Sequence, residues 1–228
     1  MSIKIALFGL PASGKGTLSA NITRDWGCSQ LSTGDMIRRL RQEPGPIGDE
    51  LRALPVGSFA SDDLVVKAVL EELKLPKYEL GVIFDGFPRT LAQWESLQNE
   101  GVKLDAAVYL IASQELLIDR AVNRRVHLDS GRVYNLKSMP PKVDGIDDVT
   151  GEPLFWREDD KQGVIQRRFA DYWGKTHPVV ESIKRNPQVG CHYLEVDAMS
   201  GEQAVWSSVS ETLSQKRSFP SARKPKSP

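Results

Sequence analysis

Short apolar, partly β-branched runs alternate along the chain with longer stretches in which apolar residues recur every three or four positions. The runs lie at 3–8, 28–31, 81–84, 106–111 and 192–196, and each is short enough for a buried strand. Helical spacing marks 16–26, 62–73, 91–99, 114–123, 161–183 and 202–215. Strands that alternate with helices predict an α/β fold: a five-stranded parallel sheet with right-handed crossovers and helices on both faces, a three-layer arrangement.

Two segments break this alternation. Residues 33–61 carry Pro44, Gly45, Pro46, Pro55 and Gly57, which predicts short helices and turns instead of one long crossover helix. Residues 127–160 carry Gly131, Pro140, Pro141, Gly145, Gly151 and Pro153 among polar positions. A stretch of that length without helical period inside a compact domain is expected to be disordered or a functional flap. Its alternation at Arg132-Val133-Tyr134 and Leu154-Phe155-Trp156 favours a small β-structured flap. From Lys216 onward the chain is basic and proline-rich without an acidic residue, the composition of a solvated, disordered tail.

Composition changes this picture little. The chain has 228 residues, 40% hydrophobic and 26% charged, enough for one sizeable core with inserted subdomains. Thirty basic side chains offset thirty acidic ones, so bulk positive charge gives no sign of a nucleic-acid binder, and any affinity for phosphate must be local. Cys28 and Cys191 are the only cysteines, without a CxxC pair, which fits a reducing compartment and offers no thiolate set for zinc. The apolar run at 3–10 contains Lys4 and is too short to span a membrane or act as a secretory leader. A cytoplasmic location is expected, with a mitochondrial one left open.

The strongest local chemistry follows the first strand. Gly9-Leu10-Pro11-Ala12-Ser13-Gly14-Lys15-Gly16-Thr17 opens the first helix. Glycines let backbone N–H groups and the helix N-terminus wrap a phosphate chain, and Lys15 adds a mobile positive charge. The strict P-loop form has Ser or Thr directly after the lysine, whereas here Gly16 intervenes before Thr17.

That Gly-Lys-Gly-Thr ending resembles the loop of the nucleoside monophosphate kinases. Two further segments match the acceptor site of that family: 31–38, Leu-Ser-Thr-Gly-Asp-Met-Ile-Arg, and 85–90, Asp-Gly-Phe-Pro-Arg-Thr. A fourth, from Gly131-Arg132-Val133-Tyr134 through Pro140-Pro141 to Asp147-Asp148-Val149-Thr150-Gly151-Glu152, is similar to the long lid of the adenylate kinases. The resemblance covers about 3–215. It implies core segments at 1–32, 62–124 and 162–215, an AMP-binding insertion at 33–61, a lid at 125–161 and a tail at 216–228. It also implies a monomer with ATP and AMP as substrates, Mg²⁺ as cofactor, and no nucleic-acid or membrane partner.

Carried over residue by residue, the resemblance assigns ATP to Gly9, Pro11, Ala12, Ser13, Gly14, Lys15, Gly16, Thr17, Arg120, Arg124, Val133, Tyr134 and Ser200. It assigns AMP to Thr33, Arg38, Phe59, Ala60, Ser61, Val65, Gly86, Arg89 and Gln93, with Arg157 and Arg168 contacting AMP and the transferring group. Lys15, Arg124, Arg157 and Arg168 carry the catalytic assignment. Phosphoryl-transfer chemistry agrees: charge must be neutralised and aligned, a nucleotide phosphate is already mostly ionised near pH 7, and no general base is required. Planar guanidinium groups suit bidentate phosphate contacts. Asp35 and Asp85, after the second and third strands, are assigned to Mg²⁺ through water, the alternative being a helix cap or an ion pair with Arg38 or Arg89.

Some relatives knit the lid with cysteine-held zinc. Here no cysteine lies between 29 and 190, and His127, Ser130, Asp147 and Thr150 stand in the corresponding places, able to form a hydrogen-bonded polar cluster without zinc. Three departures from the family pattern bear on rate and donor choice. Ala12 replaces a loop glycine, Asn123 a usual glycine before the lid, and Asn135 a histidine near the donor base. A GTP:AMP phosphotransferase is the alternative enzyme, a UMP/CMP kinase fits worse, and a nucleotide-sensing module without turnover or a water-using P-loop NTPase are the remaining alternatives.

Overall fold

The computed structural model describes residues 2–54 and 60–215. Phe59 and the tail at 216–228 lie outside the described residues. The chain divides into two compact units: Met1–Gly9, Gly14–Ile111 and Trp173–Pro228 form the first, and Leu10–Ser13 with Ala112–Tyr172 the second.

The first unit is built on five strands, β1 (Ile3–Phe8), β2 (Ser29–Ser32), β3 (Gly81–Asp85), β4 (Ala106–Ile111) and β7 (His192–Asp197). They pair in parallel in the order β2-β3-β1-β4-β7, the α/β architecture expected of a P-loop kinase. Ile5, Ile83, Phe84 and Val108 are fully buried, as near-continuous apolar runs covered on both faces must be. Each such side chain contributes about 1.5–3 kcal/mol on burial.

The helices of this unit are α1 (Lys15–Trp26), α2 (Thr33–Leu40), α3 (Pro46–Ala53), α4 (Asp62–Glu72), α5 (Leu91–Asn99), α8 (His177–Arg185) and α9 (Glu202–Ser214). Trp26 of α1 and Trp206 of α9 pack with ring centroids 5.4 Å apart. Residues 33–54 hold two short helices, α2 and α3, broken where Pro44 and Pro46 deny a donor to a continuous helix. Cys28 and Cys191 are buried free thiols, each pushed up to about 11 by burial and, secondarily, by the charge of Asp105. The unreactive protonated form therefore dominates at neutral pH.

The second unit holds α6 (Gln114–Val122), α7 (Gln162–Asp171) and a two-stranded antiparallel ribbon of β5 (Arg124–Val126) and β6 (Val133–Asn135). The ribbon begins at Arg124, earlier than the alternation suggests. Phe155 adds a single bridge to Val126 in place of a second full strand. Leu117 and Ala121 of α6 and Ile165 and Phe169 of α7 are buried, and the two helices pack together.

The single helix expected at 161–183 is corrected to a helical run in three parts: α7, a π-helical stretch Tyr172–Thr176, and α8. Pro178 at the start of α8 lacks an N–H and its ring clashes with the carbonyl four residues back, at Gly174. The wider π turn absorbs both. Among the described residues no helix is long and apolar enough to cross a membrane.

Candidate active site

The phosphate loop joins β1 to α1. Ser13 N–H donates to Leu10 O at 3.2 Å to close the turn, and α1 starts without a side-chain cap and with no acidic residue in its first turn. The positive end of the helix is thus left for an anion. Lys15 Nζ donates to Gly9 O at 2.8 Å and so lies folded along the loop. Ala12 has φ 65°, the left-handed region that glycine enters without cost. A non-glycine residue therefore holds a left-handed turn at the position where the family pattern has glycine.

The acceptor motifs follow the neighbouring strands. Asp85 at the end of β3 is in register with Leu7 of β1 on one side and Ser32 of β2 on the other. The loop and both acceptor motifs therefore issue from the same C-terminal end of three adjacent parallel strands, where open α/β sheets bind ligands. Thr33 is buried, and its hydroxyl donates to Gly86 O at 3.2 Å, which ties the two motifs together. Gly86 has φ 74°, and a Cβ there would meet Arg89 Nη2 at 2.6 Å. Arg89 Nε donates to Gly86 O at 2.7 Å, and the positive φ at Gly86 is what favours glycine there.

Arg38 pairs with Asp35 one turn away on α2, and both side chains are exposed. Such a surface pair contributes about 0–1 kcal/mol, so a phosphate dianion can displace it. Of the two alternatives for Asp35, the ion pair is the one the structure displays. Asp85 Oδ2 accepts from Gln30 Nε2 at 2.8 Å. These carboxylates and the Thr17 hydroxyl are hard oxygen donors, suited to Mg²⁺ that keeps most of its waters. Among the described residues no group of three or more His, Cys, Asp or Glu is placed to hold a metal by itself.

Gln93 is buried, and both ends of its carboxamide are engaged within the protein. Nε2 donates to Asp62 Oδ1 at 2.8 Å, and Oε1 accepts from Arg89 N–H at 2.7 Å. Ser61 caps α4 by accepting from Leu64 N–H at 3.3 Å, and Val65 is buried behind Ala60 and Ser61 in the chain. Ser200 lies after β7, where its hydroxyl donates to Asp197 O at 2.8 Å.

In the second unit three of the assigned arginines meet one 3-10 turn, Glu158–Asp160. Arg124 donates through Nε at 2.8 Å and through Nη2 to Asp160, whose carboxylate is fully buried. Arg168 pairs with Asp159 at 3.3 Å, and Arg157 O accepts from Asp160 N–H at 3.0 Å. Arg120 stands on α6, and its carbonyl accepts from Asn135 Nδ2 at 3.3 Å. Asn123 caps the end of α6, donating to Asp119 O at 2.8 Å. Asp62 and Asp160 are among the partners that sequence reasoning did not single out, with Gln30 and Asp159. Asp160 has no periodic signal, while Asp62 follows the Ser61 cap and could have been read as a helix-start acid.

The ribbon is closed by polar side chains. His127 is buried with Nδ1 at 2.7 Å from Ser130 Oγ and Nε2 at 2.7 Å from Glu152 Oε2, and Thr150 Oγ1 lies 3.3 Å from Nε2. Asp147 accepts from Arg132 Nε and Nη2 at 2.8 and 2.7 Å, and from the Tyr134 hydroxyl at 3.0 Å. The Thr150 hydroxyl donates to Asp147 at 3.0 Å, joining His127, Ser130, Thr150 and Asp147 in one network. The Arg132 hydrogen bonds, outweighing burial, hold the Asp147 carboxyl well below the usual carboxylate range. Tyr134, assigned to ATP from sequence, spends its hydroxyl on this network, accepting also from Asp148 N–H at 2.9 Å, while Val133 is exposed.

A model of the family described as adenylate kinase matches residues 7–188, more than three quarters of the chain. The match runs from the phosphate loop through both acceptor motifs and the polar ribbon, so the chain belongs to the adenylate kinase family of nucleoside monophosphate kinases.

Proposed function

We propose that the protein transfers the γ-phosphoryl group of MgATP to AMP, giving two ADP, and reverses the reaction. The observation that carries this reading is the shared sheet end, where the Lys15 loop, the Thr33–Arg38 segment and the Gly86–Gln93 segment follow three neighbouring parallel strands. Membership of the adenylate kinase family supports the reaction class, and the resemblance of these motifs to the family's acceptor site supports AMP as the acceptor.

In this reading Lys15 releases Gly9 O and moves to the β- and γ-phosphates, while loop N–H groups cradle them. Arg38 and Arg89 bind the AMP phosphate, the first by exchanging Asp35 for it. Thr33 and Gln93 contact adenine, with 60–65 closing the base pocket. Arg120, Arg124, Arg157 and Arg168 neutralise charge on the transferring group. Arg124 does so with guanidinium N–H groups other than the two bound to Asp160, since the fork has five. Asp35 and Asp85 would hold Mg²⁺ through its waters, and the ion supplies charge neutralisation and alignment of the phosphates. The segment 125–161 acts as a lid that keeps water from the γ-phosphate.

The test is a product assay in which ATP or GTP is offered against AMP, UMP, CMP and GMP with Mg²⁺. ATP with AMP should give the fastest transfer, and ATP alone should give little hydrolysis. Faster turnover with GTP would reassign the donor, preference for UMP or CMP would reassign the acceptor, and no turnover would leave a binding module.

A further inference from the structure

We propose that Asp62 is a positioning residue that sets adenine selectivity by locking the orientation of the Gln93 carboxamide. The inference rests on the proposed role of Gln93 in contacting the acceptor base. Asp62 is the first residue of α4, and Gln93 stands in the first turn of α5. Gln93 Nε2 donates to Asp62 Oδ1 at 2.8 Å, and Gln93 Oε1 accepts from Arg89 N–H at 2.7 Å. The Thr90 hydroxyl donates to Asp62 Oδ2 at 2.9 Å and accepts from Gln93 N–H at 3.1 Å.

A carboxamide presents nitrogen and oxygen of nearly equal size, so packing alone does not decide between its two flips. Hydrogen-bond chemistry does so here. The Arg89 N–H can only donate and must face Oε1. The Asp62 carboxylate oxygen accepts and must face Nε2. A flip would set donor against donor and acceptor against acceptor at a residue only 6% exposed, with both bonds lost. Asp62 is itself held by Thr90, so the lock extends from α4 to the cap of α5.

The two bonds use one of the two amide N–H groups and one of the two carbonyl lone pairs. The second N–H and the second lone pair are therefore offered to a base in a fixed order. Adenine sets the N1 acceptor beside the 6-amino donor. Hypoxanthine sets an N1–H donor beside the O6 acceptor, the reverse order. A carboxamide free to flip could serve either base, whereas one held by Asp62 serves one. Asp62 therefore acts on discrimination through Gln93, and the charge on its carboxylate strengthens the contact that fixes the order.

The experiment measures kcat/KM for AMP and IMP at saturating MgATP in the wild type and in Gln93→Leu, Asp62→Ala, Asp62→Ser and Asp62→Asn. The wild type favours AMP. In Asp62→Ala the AMP value falls about tenfold while IMP stays within about twofold, and the KM for MgATP is unchanged. Asp62→Asn retains an oxygen at the same reach and keeps the AMP/IMP ratio within about threefold of wild type. Asp62→Ser keeps a polar group at the start of α4 but is too short for Gln93. It lowers the ratio like alanine and carries the test if the alanine variant does not fold. Equal losses for AMP and IMP in the alanine and serine variants, or an unchanged ratio, would overturn the proposal. Gln93→Leu separates the two levels. If it leaves the ratio at the wild-type value, the role of Gln93 fails; if it lowers the ratio and the Asp62 variants do not, the role of Asp62 alone fails.

Discussion

The parallel sheet of the first unit and the polar ribbon of the second bury different kinds of side chain. In the first, the sheet is filled by Ile5, Leu7, Ile83, Phe84 and Val108, and burial of apolar surface holds it together. In the second, the ribbon from Arg124 to Asp160 buries His127, Asp147 and Asp160 and closes around them with Arg132, Tyr134, Thr150 and Arg124. An apolar core tolerates exchange among residues of similar volume, whereas a buried polar network requires each partner because any unmatched group pays its desolvation. The first unit should therefore lose activity when single charges that face the ligand are removed, and the second should lose order when its internal pairs are broken.

The largest effect expected in the first unit comes from Lys15→Met, which removes charge opposite the developing charge on the transferred phosphoryl group. Turnover should fall at least about 100-fold with little change in melting midpoint. Near-normal kcat in a stopped-time ADP assay would strike Lys15 from the catalytic assignment. Next in size is Gln93→Leu, which keeps similar bulk but leaves the base edge unpaired. It should cost about 1–3 kcal/mol of AMP efficiency and leave the KM for MgATP in place. Steady-state kinetics with AMP varied at saturating MgATP decides this, and an unchanged AMP efficiency would contradict it.

For the second unit, Asp147→Asn breaks the polar closure and carries a pH signature. The Asp147 carboxyl is held low in the folded state, chiefly by Arg132, so its contribution to stability is full above about pH 4, the ordinary carboxylate value. That contribution is lost as the pH falls from there through the lowered folded value. At pH 7 the variant should melt below the wild type, and the gap should narrow as the pH drops below about 4. Melting curves from pH 7 to 2.5 would refute the assignment if the gap stayed constant. The smallest effect is Ala12→Gly. Relief of the left-handed turn at φ 65° outweighs the added freedom of the unfolded chain by less than about 1 kcal/mol, a rise of about 1–3 °C in melting midpoint.

The contrast also explains what could be read before the structure. Strands β1, β3 and β4 are visible in sequence because both of their faces are covered and the apolar run is nearly unbroken, while β7 shows as alternation, with Leu194 and Val196 buried and Glu195 exposed. The short helices of the insertion follow from Pro44, Gly45 and Pro46. Strand β5 escapes notice because Arg124 and Arg125 are polar and only Val126 is buried, so its three residues offer no alternation. The π stretch escapes because it leaves the helical period nearly intact, although Pro178 marks the place. At the site, residue identities are visible as motifs, but their partners are not. Nothing in the spacing joins Gln93 to Asp62 across 31 positions or Arg124 to Asp160 across 36. Such pairs depend on how elements meet, which periodicity does not encode.

The division of labour proposed for the two units is tested most directly by replacing 128–158 with a short Gly-Ser linker and measuring, on the same protein, AMP binding by titration and ADP formation from ATP plus AMP. The account predicts AMP affinity within about threefold of the full chain and transfer below about 1% of it, because the acceptor motifs stay on the parallel sheet while Arg157 and the water-excluding segment are gone. Transfer at the full rate would contradict it.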